Sequence, residues 1–239
     1  MDLAAMARGN AMTPAPSLNT VLSRIGETQA PLPPATSVLI GLAALAAASL
    51  REIWLLVQYA NTIAHEGGHA MTGSAIGRKV QYVWLKGNGD GETRTSPGQL
   101  PGEVTIGVAG YLGPSGFGLG AAKLVQIGHS VAVLWLILIL LAVLLFVLRT
   151  VFSYVPVLAL GGLIYLIVRY ASVGTDTVAA YAVAWFLLVS GVRVVVDHNL
   201  GAGDAGKLAE LTYIPKLFWF LVWLAGSVAA VALGGSWLV

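Results

Sequence analysis

The chain has 239 residues, 57% of them hydrophobic and only 10% charged, with a mean hydropathy of +0.80. A soluble domain carries about a quarter charged residues, so a water-soluble globule is excluded and an integral membrane protein is expected. The net charge of +2 comes from scattered Lys and Arg with no basic run, which speaks against a nucleic-acid partner, and the absence of cysteine removes disulfides and thiolate metal sites.

Residues 1–34 mix Pro, Ser, Thr and Asn without an apolar core of signal-peptide length. They read as a flexible cytosolic tail ahead of one membrane-embedded domain over residues 35–239. Apolar segments follow at 36–50, 53–76, 103–127, 130–149, 151–169, 177–196 and 217–238. A helix needs roughly 20 residues to cross the hydrocarbon core, and the first segment is short and closely followed by Arg51 and Glu52. The expected fold is therefore all-α and polytopic, with six or seven transmembrane helices. With seven crossings, Arg8, Arg24, Arg78, Lys79, Lys86, Arg94, Arg149, Arg193, Lys207 and Lys216 fall on one side and Arg51, Lys123 and Arg169 on the other. The positive-inside rule then places the amino terminus in the cytosol.

The second segment contains His65-Glu66-Gly67-Gly68-His69. Histidines four apart share one helix face, where both rings can hold a single zinc ion. Glu66 is then placed to act as general base toward zinc-bound water. Gln58, Asn61, Thr62, His65, His69 and Thr72 recur at helical spacing as a polar stripe. A helix lining a hydrated cavity, or bonding to its neighbours, would show such a stripe; it would not need two histidines and a glutamate together. Gly67 and Gly68 are expected to permit close helix packing. Gly73 with Gly77, and Gly116 with Gly120, have the spacing of small-residue contacts, expected inside the bundle.

The connection after this segment holds Val80–Leu85, then a turn-rich Gly87-Asn88-Gly89-Asp90-Gly91, then Glu92 to Thr95. This pattern predicts a short β-hairpin. A catalytic zinc takes three protein ligands and keeps one position open, so a third donor must come from elsewhere. His129 and Asp176 fall at the opposite membrane face. Asp197, His198 and Asp204 fall at the cytosolic end of the sixth segment or just beyond it, with Asp204 the first candidate and Asp197 the alternative. In structural terms Asp204 would otherwise cap the short helical pattern at 205–211, and Asp197 would mark the membrane boundary.

Taken together, His65 to His69, the stretch Gly110-Tyr111-Leu112-Gly113-Pro114, and Gly203-Asp204-Ala205 followed by Leu208, Ala209, Leu211, Thr212 and Pro215 resemble the site-2-protease-like intramembrane zinc metalloproteases. The likeness is to the compact bacterial branch without a PDZ domain, and it covers roughly residues 53–223. It implies His65 and His69 as zinc ligands, Glu66 as catalytic base and Asp204 as third ligand. It also implies a multi-pass protein of the bacterial cell membrane, cleaving membrane protein or peptide substrates within or near the bilayer. The chain departs from the larger family in lacking an Asn-Pro-rich run before Leu-Asp-Gly; Asn199 is the asparagine nearest the candidate aspartates. The alternative is a non-catalytic membrane scaffold or regulator that retains the metal-site fold, against which the intact Glu66 argues. A transporter is disfavoured because 134–148 is almost wholly apolar, with no ionisable relay.

Overall fold

The computed structural model of the chain describes residues 17–197 and 203–239. It is built of helices α1 (Leu18–Ser23), α2 (Pro34–Ser49), α3 (Arg51–Ala75), α4 (Leu100–Gln126), α5 (Ser130–Leu145), α6 (Val151–Tyr170), α7 (Val173–Asp197), α8 (Asp204–Thr212) and α9 (Lys216–Leu238), with strands β1 (Val80–Leu85) and β2 (Gly91–Thr95) between α3 and α4. Each expected apolar segment forms a helix. By length and composition α6, α7 and α9 are each able to cross a membrane, and α2 with α3 would count as a fourth crossing if that bent pair is one span. This is fewer than the six or seven expected. The apolar helices α2 and α5 are only 16 residues each, and α4 is diluted by glycine and carries Pro114 in its interior.

Helix α4 packs antiparallel to α7, and small residues let the two approach. The position of a Cβ on Gly118 lies 2.9 Å from the Leu188 nitrogen, and Gly191 faces Ser115. Helix α2 lies along the same α7, with the Trp185 indole donating to Ser37 at 3.1 Å and its ring covering Gly41. At Leu50 the chain then turns by 100° into α3. Arg193 holds that corner: it donates to the Ala48 carbonyl, pairs with Asp197 at 2.8 Å and lies over the Trp54 ring.

The corner sits one turn from the end of α7, and α3 runs obliquely from it to the start of α4, where Arg78 pairs with Glu103. Both ends of α3 thus stay at one end of the bundle, together with the hairpin and α8. Residues 17–33 lie at the other end. Gln29 bonds the Gly128 carbonyl through its backbone, accepts from the Val131 amide, and Arg24 approaches Asp176 at 3.7 Å. The expectation that the amino-terminal segment shares a side with the hairpin counted α3 as a full crossing; α3 instead meets α2 at a bend of 100°. Residues 17–33, read from sequence as part of a flexible tail, fold against the bundle, with Val21 1% exposed.

Strands β1 and β2 pair antiparallel, with Trp84 opposite Glu92 and Leu85 opposite Gly91. The segment after α5 adds to the other edge of β1: the Val83 amide donates to Val147 at 2.7 Å and the Arg149 amide to Val83 at 2.8 Å. Alternation puts Val83 and Leu85 on the inner face, where they are fully buried against Ile63, Leu141, Leu144 and Val157. Among the expected small-residue contacts, Gly73 does pack, on Thr95 and Ile106. Gly77 instead serves a left-handed turn at φ +79°, and a Cβ on Gly116 or Gly120 would meet no atom within 4 Å. The second pair therefore makes no close intramolecular contact among the described residues.

Candidate metal centre and active site

Helix α3 presents its polar stripe to the end of the bundle that the hairpin covers. His65 and His69 stand one turn apart, and α8 brings Asp204 to them from across the sequence. His65 Nε2 lies 3.2 Å from His69 Nε2, and Asp204 Oδ2 lies 3.2 Å from the first and 3.1 Å from the second. These three form the His/Cys/Asp/Glu group, among the described residues, whose donor atoms lie within 4.8 Å of one another.

The donor set fits a tetrahedral cation. Ligand atoms at about 2.0–2.2 Å from a tetrahedral zinc lie roughly 3.3–3.5 Å from each other, close to the spacing found. The chemistry agrees. His69 Nδ1 sits 2.7 Å from the Ile106 carbonyl, which can only accept, so Nδ1 carries the proton and Nε2 of the neutral ring offers its lone pair. Two imidazole nitrogens and a carboxylate oxygen turned on one another need a positive charge between them.

Asp204 is the first residue of α8, and Gly203 takes the N-cap position without any side-chain capping bond. The carboxylate is thus directed at the histidines, not at the helix amides. Asp197, the alternative third donor, is not brought to the cluster; its carboxylate accepts from Arg193 and is half exposed. His198 and Asn199 lie outside the described residues. His129 and Asp176 stand at the far end of the bundle, away from the cluster.

Glycines make room for the cluster. A Cβ on Gly110 would overlap the His69 ring and come within 2.9 Å of His65 Nε2. Four residues on, Pro114 has no N–H to return to the Gly110 carbonyl, so the helix is loosened where it meets the site. Gly68 packs on the Ala109 carbonyl and on Gly113, 3.1 Å from where its Cβ would be, while Gly67 meets only the edge of Phe117 at 3.7 Å. Tyr111, beside Gly110, turns its ring edge-on to His65 with centroids 4.8 Å apart and is itself stacked on Trp223. The Trp223 indole donates to the Val108 carbonyl at 3.1 Å.

Glu66 is 3% exposed, and its Oε2 has no hydrogen-bond partner among the described residues. A buried carboxylate oxygen without a donor is costly, which marks this one as held for chemistry or for a ligand. The hairpin closes over it. Gly91 lies against the Glu66 carboxyl, Thr93 donates to the Glu66 carbonyl at 3.2 Å, and Thr62 donates to the Gly89 carbonyl at 2.6 Å. Between α3, β2, α4 and α8 lies a cavity of about 800 Å³, lined by Asn61, His65, Glu66, His69, Tyr111 and Asp204 among others.

No curated protein and no solved structure matches the chain. The family model described as Peptidase M50B-like matches residues 38–234, a stretch that holds α3, the hairpin, α4, α8 and every donor named above. A buried His-Glu-x-x-His helix, a distant aspartate folded back onto it and this match over most of the length agree: the chain belongs to the Peptidase M50B-like family, of site-2-protease type.

Proposed function

We propose that the protein is a zinc-dependent intramembrane endopeptidase that cleaves membrane proteins or peptides within or beside the bilayer. The observation that carries this reading is the meeting of His65 Nε2, His69 Nε2 and Asp204 Oδ2 within 3.2 Å of one another, beside the buried Glu66. His65, His69 and Asp204 would hold the metal. When bound, zinc supplies a Lewis acid for the scissile carbonyl and lowers the pKa of water. Glu66 takes the proton of the attacking water and passes it to the leaving amine. The Ile106 carbonyl keeps His69 in one tautomer, and Tyr111 fixes the plane of His65.

A helical substrate hides its carbonyls in its own hydrogen bonds, so the cleaved stretch must first become extended. One edge of β2 is used by β1; the other borders the cavity, where residues 91–95 all contribute to the wall. An extended peptide added along that edge would be aligned past Glu66.

The protein is read as an integral membrane protein of the bacterial cell membrane with six helices crossing (α2, α4, α5, α6, α7 and α9) and α3 oblique. Arg51, Arg78, Lys79, Lys86, Arg94, Arg149, Arg193, Lys207 and Lys216 stand at the hairpin end against Arg24, Lys123 and Arg169 at the other, so the positive-inside rule puts the site toward the cytosol. Residues 17–33 then face the opposite side.

The test is Glu66→Gln. It should retain zinc and lose cleavage of a co-expressed membrane substrate by on the order of 10²–10⁴-fold. An unchanged cleavage rate would remove Glu66 from the mechanism, and a biological role that survives the substitution would favour a non-catalytic scaffold.

A further inference from the structure

The hairpin's inner face is spent on the bundle and its free edge on the cavity, whose rim Lys86, Glu92 and Arg94 also reach; the outward rings of Tyr82 and Trp84 and the Arg149 guanidinium beside them have no assigned role. Tyr82 and Trp84 alternate with the buried Val83 and Leu85, so they point outward. Directly opposite them in the register stand Arg94 and Glu92. The third segment of the sheet supplies Arg149, whose guanidinium lies 4.4 Å over the Tyr82 ring and 5.2 Å from that of Trp84. Lys86 also lies 5.0 Å from the centre of the Trp84 ring.

Three cations therefore share this face with one carboxylate. Glu92 accepts from the Tyr82 hydroxyl at 2.7 Å and approaches Lys86 at 3.7 Å. Arg94 and Arg149 make no ion pair among the described residues, and both are exposed. The aromatic rings hold Arg149 in place, which reduces the entropy a ligand would otherwise have to remove. On either side of Arg149 in the chain, Phe146 is 89% and Val151 86% exposed. Bare apolar side chains of that size belong against acyl chains, and Trp, Tyr and Arg beside them belong at the level of the headgroups.

We propose that the outer face of this sheet binds the phosphate headgroup of an anionic phospholipid, through Arg149, Arg94 and Lys86 with Tyr82 and Trp84 beneath. The inference rests on the reading that the hairpin end lies at a membrane surface. The bound lipid steadies the strand that walls the cavity from Gly91 to Thr95. An acidic protein partner would also suit the charge, but the apolar flanks at Phe146 and Val151 fit lipid tails and not a solvated protein surface.

The experiment reconstitutes the full chain in nanodiscs of phosphatidylcholine alone, or mixed with phosphatidylglycerol. Two quantities are read: the ratio of the two lipids retained after gentle detergent extraction, and hydrogen exchange of the β1 and β2 amides. Wild type should retain phosphatidylglycerol preferentially and exchange more slowly in the mixed discs. At about fivefold per basic side chain near an anionic surface, Arg94→Gln with Arg149→Gln should lower that preference roughly thirtyfold. Glu92→Gln, which removes the carboxylate from the face, should raise it and guards against a double variant that fails to fold. Zinc content, measured alongside, reports the metal site separately, so its loss would count against the proposed enzyme and not against the lipid site. No lipid preference in wild type, or a preference unchanged in both variants, would overturn the proposal. Equal slowing of exchange by inorganic phosphate in phosphatidylcholine discs would overturn it too, by showing an anion site that needs no membrane.

Discussion

Gly110 lies directly against the imidazole of His69, so close that a Cβ on it would occupy the space of Nε2 and Cε1. The second histidine of the motif is thus held between the Ile106 carbonyl on one side and a bare backbone on the other. Gly110→Ala should push α4 and α3 apart at this level and lower zinc affinity by about 10–100-fold, the usual cost of disturbing what orients a ligand. Zinc titration of the detergent-solubilised variant against wild type reads this, and full zinc occupancy at unchanged affinity would show that the helices yield without cost.

The two central glycines of the motif carry different burdens. Gly68 abuts a backbone carbonyl of α4, whereas Gly67 has ordinary clearance from a side chain. Gly68→Ala should cost about 1–3 kcal/mol by overpacking. Gly67→Ala should fall within about 0.5 kcal/mol of wild type or gain slightly from helix propensity. Thermal unfolding in one detergent compares them, and equal melting shifts would count against the close α3–α4 contact.

The third donor separates cleanly in the same assay. Asp204→Ala and His65→Ala should each purify with little zinc, because two donors of the cluster remain in either case. Asp197→Ala should keep its zinc, since that carboxylate is engaged by Arg193. Zinc lost with Asp197 and kept with Asp204 would reverse the assignment.

Much of this site is legible in the order of residues alone. The His65–His69 spacing on a helix and the hairpin after it follow from residue types at fixed offsets, while Asp204 as first candidate rests on the expected topology and on the family resemblance. What the sequence hides is contact made by groups with no signature of their own. The Ile106 carbonyl orients His69, and any residue could have supplied it. Tyr111 stands in a motif carried by family resemblance, with nothing in its spacing to show that its ring meets His65. The oblique course of α3 is hidden for a different reason: apolarity gives a segment's length but not its tilt. The corner at Leu50 depends on Arg193, which lies far along the chain.

Arg193 supplies its own test. It satisfies the Ala48 carbonyl at the end of α2, pairs with Asp197 and covers Trp54. Arg193→Leu keeps the bulk but leaves that carbonyl without its charged donor, at a cost of about 1.5–3 kcal/mol. Stability should fall by that order while zinc stoichiometry is kept, because the guanidinium touches none of the three metal donors. A stable variant would mean that the corner is fixed by the packing of Trp54 on Phe186.

The topology itself can be read by chemistry, because the chain has no cysteine of its own. Thr28 and Asn88 are both exposed, one in the segment ahead of α2 and the other at the tip of the hairpin. With α2 crossing and α3 remaining at one end, a cysteine at position 28 and one at position 88 lie on opposite sides of the membrane. A membrane-impermeant maleimide added to intact cells should label Thr28→Cys and spare Asn88→Cys until the membrane is opened. Had the His-Glu-x-x-His helix been a full crossing after a spanning α2, both positions would be protected together. Joint protection would therefore restore the seven-crossing topology, while labelling of Asn88→Cys alone would invert the orientation drawn from the basic residues at the hairpin end.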